Sequence, residues 1–215
     1  MPVDAPRLTL VIDRLLYRTR DDEPPLSLVE EAIAGGVSLV QMRTGAWQGD
    51  DLGIYAVAQR LREITRGKAP MLVTDDLHLA EKCEADGILL TPEHSYRPES
   101  VREYVRVSPS IVGCFVTSVW AAARAERGGA DFVQVGPIFG DGIGHGAADG
   151  LVLLRKVRDA IHLPVVAFGG IMNADLAAQT IDAGATGIAV GEPILSATDP
   201  RRAAAQYAAV FNGLP

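Results

Sequence analysis

Short apolar and β-branched runs alternate along the chain with longer stretches that carry apolar residues at helical spacing, so the hydrophobic period switches repeatedly between buried strand and amphipathic helix. The runs predict eight strands, at Leu8–Val11, Ser38–Met42, Met71–Thr74, Gly87–Leu90, Ile111–Phe115, Phe132–Val135, Val165–Phe168 and Gly187–Val190. Between them the pattern predicts helices at Leu26–Ala34, Asp51–Thr65, Val119–Arg127, Leu151–Ile161 and Ala174–Ala183. In the second of these, Ile54, Val57, Ala58 and Leu61 form one apolar face. Glycines follow several helices just before the next strand, as in Gly35-Gly36, Gly87, Gly128-Gly129 and Gly184. Each is expected to stop its helix in the left-handed conformation. Eight such units, with neither outermost strand marked by charge or proline, favour a single closed (β/α)8 barrel, a TIM barrel, spanning residues 1–215, over an open doubly wound sheet.

Composition narrows the functional classes. With 20 Lys plus Arg against 27 Asp plus Glu, the formal charge of −7 argues against a general affinity for nucleic acid or an anionic membrane. A local basic pocket for a phosphate stays compatible with that balance. Cys83 and Cys114 lack the spacing of a metal site and read as reduced core residues. The opening MPVDAPR has no apolar signal core, and no run of about 18 apolar residues occurs. A cytoplasmic location is the expectation, and a homo-oligomer is left open.

In such a barrel, chemistry is expected where strands run out into the following loops. The second strand ends in Gln41-Met42-Arg43, which puts an amide and a guanidinium on the same side; Arg43 offers a planar pair of donors to a phosphate. Alternatively, Gln41 fills a polar layer of the barrel and Arg43 pairs with a neighbouring carboxylate. The third strand ends in Thr74-Asp75-Asp76, where Asp75 is the stronger candidate ligand for Mg²⁺, set against the reading of a helix cap. After the sixth strand, Gly136-Pro137-Ile138-Phe139 leads into a glycine-rich loop from Gly140 to Gly150 that contains His145, a candidate phosphate donor or proton carrier or else a solvated loop residue. The seventh and eighth strands end in Gly169-Gly170 and Gly191-Glu192, glycine turns of the kind that bind phosphate through backbone amides, or that serve tight turns alone. Arg43 and His145 are the candidates for catalytic work, and a small phosphate-bearing molecule is the expected ligand.

The succession LVIDR, AIAGGVSLVQMR, VTDD, ADGILL, GADFVQVGPIF, PVVAFGGI and AGATGIAV resembles the thiamin phosphate synthase family and its thiazole tautomerase relatives over nearly the whole chain. The resemblance implies a transferase that joins a pyrimidine pyrophosphate to a thiazole phosphate and releases pyrophosphate with Mg²⁺. It further implies that Gln41 and Arg43 contact the pyrimidine and the pyrophosphate, that Asp75 is a metal ligand, and that Gly170 donates to the thiazole phosphate. The chain departs from the family pattern at several positions. Gly45 stands where the family has a lysine, and Thr74 and Asp76 where it has asparagine and arginine. His94 replaces a second metal-binding aspartate, and Phe115 a serine. The loop from Gly140 to His145 lacks the family's threonines and lysine, and Thr117 stands near the acid–base histidine of the tautomerases. A tautomerase-like isomerase and a noncatalytic phosphate-ligand binder are therefore the alternatives to the synthase.

Overall fold

The computed structural model of the chain describes residues 6–13, 26–45, 51–93, 97–104, 111–140 and 147–212. Its eight parallel strands close into a barrel in chain order: β1 Leu8–Asp13, β2 Leu39–Arg43, β3 Met71–Thr74, β4 Gly87–Leu90, β5 Ile111–Val116, β6 Phe132–Val135, β7 Val165–Phe168 and β8 Gly187–Val190. Closure is made by β1 against β8, with Leu8 beside Ile188 and Leu10 beside Val190. The helices are α1 Leu26–Ala34, α2 Asp51–Thr65, α3 Leu77–Lys82, α4 Pro98–Tyr104, α5 Val119–Arg127, α6 Ala147–Ala160, α7 Ala174–Asp182, α8 Glu192–Leu195 and α9 Pro200–Ala208. The closed barrel expected from the repeated period is the fold observed. No helix among the described residues is long and apolar enough to cross a membrane.

Both faces of every strand are covered, which is why the strands read as continuous apolar runs. One set of side chains points into the barrel: Val11, Leu39, Leu72, Leu89, Ile111, Phe132, Val166 and Ala189 form an inner cluster, one from each strand. The alternate residues, such as Leu10, Val40, Val73 and Ile188, pack outward against the helices. On α2, Ala58 and Leu61 are fully buried and Ile54 and Val57 pack beside them, as the spacing predicts.

The amino-terminal rim of the barrel is laced by a repeated device. The residue before each even-numbered strand is polar, and its side chain accepts a backbone N–H near the start of the preceding odd-numbered strand. Ser38 Oγ accepts from Leu8, at 3.1 Å, and Asp86 Oδ2 from Met71, at 2.8 Å. Asp131 Oδ2 accepts from Val112 at 2.7 Å, and Thr186 Oγ1 from Val165 at 2.9 Å. Leu8, Met71 and Val165 carry the first amides of their strands and Val112 the second of its own, and these side chains satisfy donors that the fold would otherwise bury unpaired.

Several details differ from the pattern-based reading. β1 runs on to Asp13 and β5 to Val116, and α6 begins at Ala147, four residues before Leu151. Gly36, Gly129 and Gly184 do hold positive φ after their helices, but Gly87 does not stop one. Glu84 takes the left-handed conformation after α3, at φ 53°, while Gly87 is the first residue of β4. A Cβ on Gly87 would lie 2.0 Å from the Ile111 carbonyl oxygen, so that glycine permits close approach of β4 to β5.

Candidate functional site

The side chains at the carboxyl rim follow from strand alternation. On β1 the inward positions are Thr9, Val11 and Asp13, and on β2 they are Leu39, Gln41 and Arg43; the register places Asp13 beside Arg43. Arg43 Nη1 lies 3.3 Å from Asp13 Oδ2, and the guanidinium sits 5.9 Å from the centroid of the Phe168 ring. Phe168 in turn meets Phe115 edge-to-face at 6.0 Å. The Arg43 side chain is 44% exposed and that of Asp13 only 13%, so the guanidinium opens to the mouth while its counter-charge lies beneath. The flat cation held by a carboxylate and an aromatic face is oriented before any anion arrives.

Gln41 is placed differently. It is 2% exposed, and its Nε2 donates to Thr74 Oγ1 at 3.2 Å, one layer below the mouth. The polar-layer reading of Gln41 and the carboxylate-pairing reading of Arg43 both describe contacts that exist, and Arg43 keeps an open side toward solvent besides.

The two adjacent aspartates divide the roles that one residue type was expected to choose between. Asp76 caps α3, its carboxylate accepting from Leu79 N at 2.8 Å. Asp75 holds φ at 61° and turns to the rim between β3 and β4, where Oδ1 accepts from Thr91 N at 2.7 Å and Oδ2 from Thr91 Oγ at 2.5 Å. Aspartate tolerates the left-handed region better than most residues. The Thr91 hydroxyl proton is shared with Glu93, and that contact, with the Glu93 backbone amide and the charge of Arg43 adding to it, lowers the Glu93 carboxyl below its ordinary pKa. Thr91 and Asp13 were not singled out from the sequence. Their signal is alternation: each continues the inward set of its strand by two residues, after Leu89 and Val11.

Across the mouth, the loop after β6 is fastened to the end of β7. Ile138 N donates to Phe168 O at 2.9 Å and Phe139 N to Gly169 O at 3.1 Å, and the Gly136–Pro137 peptide is cis. Gly169 and Gly170 hold φ of 96° and 69°, and a Cβ on Gly170 would lie 2.8 Å from the Phe139 Cβ. These glycines are required by the turn itself. Gly191 is the N-cap of α8 and supplies no side-chain cap, with Glu192 exposed at the first helical position. Ile171, next to the glycine pair, is anchored from outside by Tyr207 of α9, whose hydroxyl donates to its carbonyl at 3.1 Å. His145 and His94 lie outside the described residues, as does the loop from 141 to 146. Cys83 and Cys114 are buried free thiols; burial pushes both upward in pKa, Cys114 to about 12, which leaves them protonated and unreactive.

A family model described as thiamine monophosphate synthase matches residues 8–194, the span from the first strand through the turn after the last. The chain belongs to the thiamine monophosphate synthase family. It is 38% identical over 192 residues to a thiamine-phosphate synthase of Natronomonas pharaonis, covering 87% of each chain. With a thiamine-phosphate synthase of Methanospirillum hungatei it shares 33% identity over 186 residues, 85% of this chain and 88% of that one. Among solved structures, a thiamine phosphate pyrophosphorylase from Pyrococcus furiosus superposes with a TM-score of 0.80 at 32% identity, covering 95% of this chain and 94% of its own. The family resemblance drawn from the strand-end motifs is thus upheld over most of the chain.

Proposed function

We propose that this protein is a thiamin-phosphate synthase, joining a hydroxymethylpyrimidine pyrophosphate to a thiazole phosphate with release of pyrophosphate, in the cytoplasm. The observation that carries the reading is the pre-oriented Arg43, half-open at the mouth of a barrel whose chain matches the synthase family from β1 to α8. The bond from the pyrimidine methylene carbon to the pyrophosphate oxygen breaks, and the thiazole nitrogen supplies the electron pair of the new bond. Arg43 offers two parallel donors to the departing anion, and the Phe115–Phe168 pair gives the mouth an apolar wall beside the reacting carbon. Gln41 acts from the layer below, through Thr74. The thiazole phosphate is assigned to the glycine turns at Gly169, Gly170 and Gly191, with Glu192 at the edge of that subsite.

The donor chemistry at the rim suits Mg²⁺ held chiefly by substrate. Each Asp75 oxygen accepts one hydrogen bond from Thr91 and keeps a further lone pair, and Glu93 contacts the same threonine. No group of three or more His, Cys, Asp or Glu ligands is assembled among the described residues. Mg²⁺ commonly binds through one or two carboxylates together with waters and substrate phosphates. When bound, the ion would neutralise charge on the pyrophosphate.

Titration calorimetry with pyrophosphate plus Mg²⁺, alongside an assay of pyrophosphate release with both substrates, tests the reading. The expected result is Mg²⁺-dependent binding and turnover, both reduced at least about a hundredfold in Arg43→Ala, since two charged hydrogen bonds are lost. Proton exchange on a thiazole phosphate without the pyrimidine would mark an isomerase instead. Binding of a phosphate ligand with no turnover would mark a noncatalytic barrel.

A further inference from the structure

A cavity of about 620 Å³ lies on the outer wall of the barrel between α4 and α5, over the ends of β4 and β5. Its volume falls within the roughly 300–1,000 Å³ of small-molecule sites. The sequence of α5 explains why space exists there. Ala121, Ala125 and Gly128 follow at spacings of four and three, forming one row of small residues along the helix, and all three line the cavity. A Cβ on Gly128 would come 2.7 Å from Glu99 Oε2 and 3.3 Å from the Pro98 ring, so α4 is already as near as that row allows.

The adjacent row of α5, at the same spacing, carries Trp120, Arg124 and Arg127, and Arg97 faces them from the start of α4. Trp120 is 66% exposed, an unusual position for a large ring in a chain that buries most of its apolar residues. The Arg124 guanidinium lies 5.5 Å from the indole centroid, which orients it over the ring face. No ion pair joins Arg97, Arg124 or Arg127 to a carboxylate among the described residues, although Glu99 shares the cavity. Three guanidinium groups against one carboxylate leave a local charge of +2 within a chain of −7.

We propose that this groove is a second ligand site, separate from the barrel mouth, that takes an aryl phosphate. A flat ring would stack on the Trp120 indole, and a dianionic phosphate matches both the net charge of the groove and the forked donors of its arginines. The floor is chemically inert, since the Cys114 thiol that lines it is buried and protonated, so the site binds and does not react. Thr91 and Phe115 border both this groove and the mouth, so a test must separate the two.

The chain has two tryptophans, Trp47 and Trp120, so in a Trp47→Phe background Trp120 fluorescence reports the groove alone. Phenyl phosphate, inorganic phosphate and benzyl alcohol are titrated in turn. Phenyl phosphate is expected to quench saturably and at least about tenfold more tightly than either other probe. The paired change Arg124→Gln with Arg127→Gln, both at exposed positions, is expected to weaken it by about tenfold or more, while Arg43→Ala leaves it unchanged. Quenching that fails to saturate by about 10 mM overturns the site. Loss of the response in Arg43→Ala with the double variant intact would assign the ligand to the mouth, and equal affinity for inorganic phosphate would overturn the aryl class.

Discussion

At the scale of single residues, the mouth is built from side chains with two jobs each. Arg43 is tethered by Asp13 and Phe168, yet remains 44% exposed, and Asp75 is fixed at both oxygens by one threonine. Thr91→Val removes the hydroxyl donor while keeping the backbone N–H and the side-chain volume. It is expected to cost about 1–3 kcal/mol in urea unfolding, because a charged acceptor loses one of its two partners. Gly45 is the residue where added charge can be accommodated. It is exposed, and a Cβ there would meet nothing within 4 Å. Gly45→Lys restores the lysine of the family pattern and should leave the thermal midpoint unchanged while tightening pyrophosphate binding by about tenfold, the effect of one charged hydrogen bond at a wet site. Unchanged affinity in calorimetry would mean that the anion does not reach past Arg43.

At the scale of elements, the strands were legible because burial on both faces makes each a dense apolar run; β3, β4, β6, β7 and β8 lie where the pattern put them. The short helices were not, since α3, α4 and α8 have only six, seven and four residues, too few to display a 3.6-residue period. α9 is masked by alanine, which contrasts weakly with its polar neighbours, although Asp199 and Pro200 form a regular helix start. Gln41, Arg43 and Asp75 could be picked out by type and position. Their partners could not, because Asp13 reaches Arg43 and Thr91 reaches Asp75 only through the pairing of neighbouring strands. The same blindness hid the lacing of the amino-terminal rim by Ser38, Asp86, Asp131 and Thr186. Within that set Asp86 adds a two-pronged ion pair to its backbone contact, holding Arg62 through contacts of 2.7 and 3.1 Å. Asp86→Ala should therefore destabilise by about 2–4 kcal/mol, more than the roughly 1 kcal/mol for Thr186→Ala, whose hydroxyl makes neutral hydrogen bonds. Chemical denaturation of the two variants checks the order, and equal losses would show that the Arg62 pair contributes nothing.

At the scale of the whole molecule, the barrel and its outer helices are joined through groups that must stay neutral to remain buried. Cys114 packs in the outer core with its thiol raised by burial from 9.0 to about 12, and Tyr207 ties α9 to the loop after β7 with its phenol raised by burial from 10.0 to about 12. In the unfolded chain both release their protons near the ordinary values, so the folded state binds more protons between those values and about 12. The contribution of these two groups to stability is then constant below pH 9, falls as pH rises through the Cys114 window, and falls more steeply once the Tyr207 window opens at 10. Tyr207→Phe separates the two contributions. It loses the hydrogen bond to Ile171 and leaves that buried carbonyl unpaired, a cost of about 1–2 kcal/mol at neutral pH. The variant should nonetheless show a shallower decline above pH 10, narrowing its gap to the wild type in thermal midpoints taken from pH 7 to pH 11, because no phenol is left to ionise on unfolding. A gap that stays constant over that range would mean that Tyr207 ionises as easily in the folded barrel as outside it, and that α9 is not held by a neutral phenol.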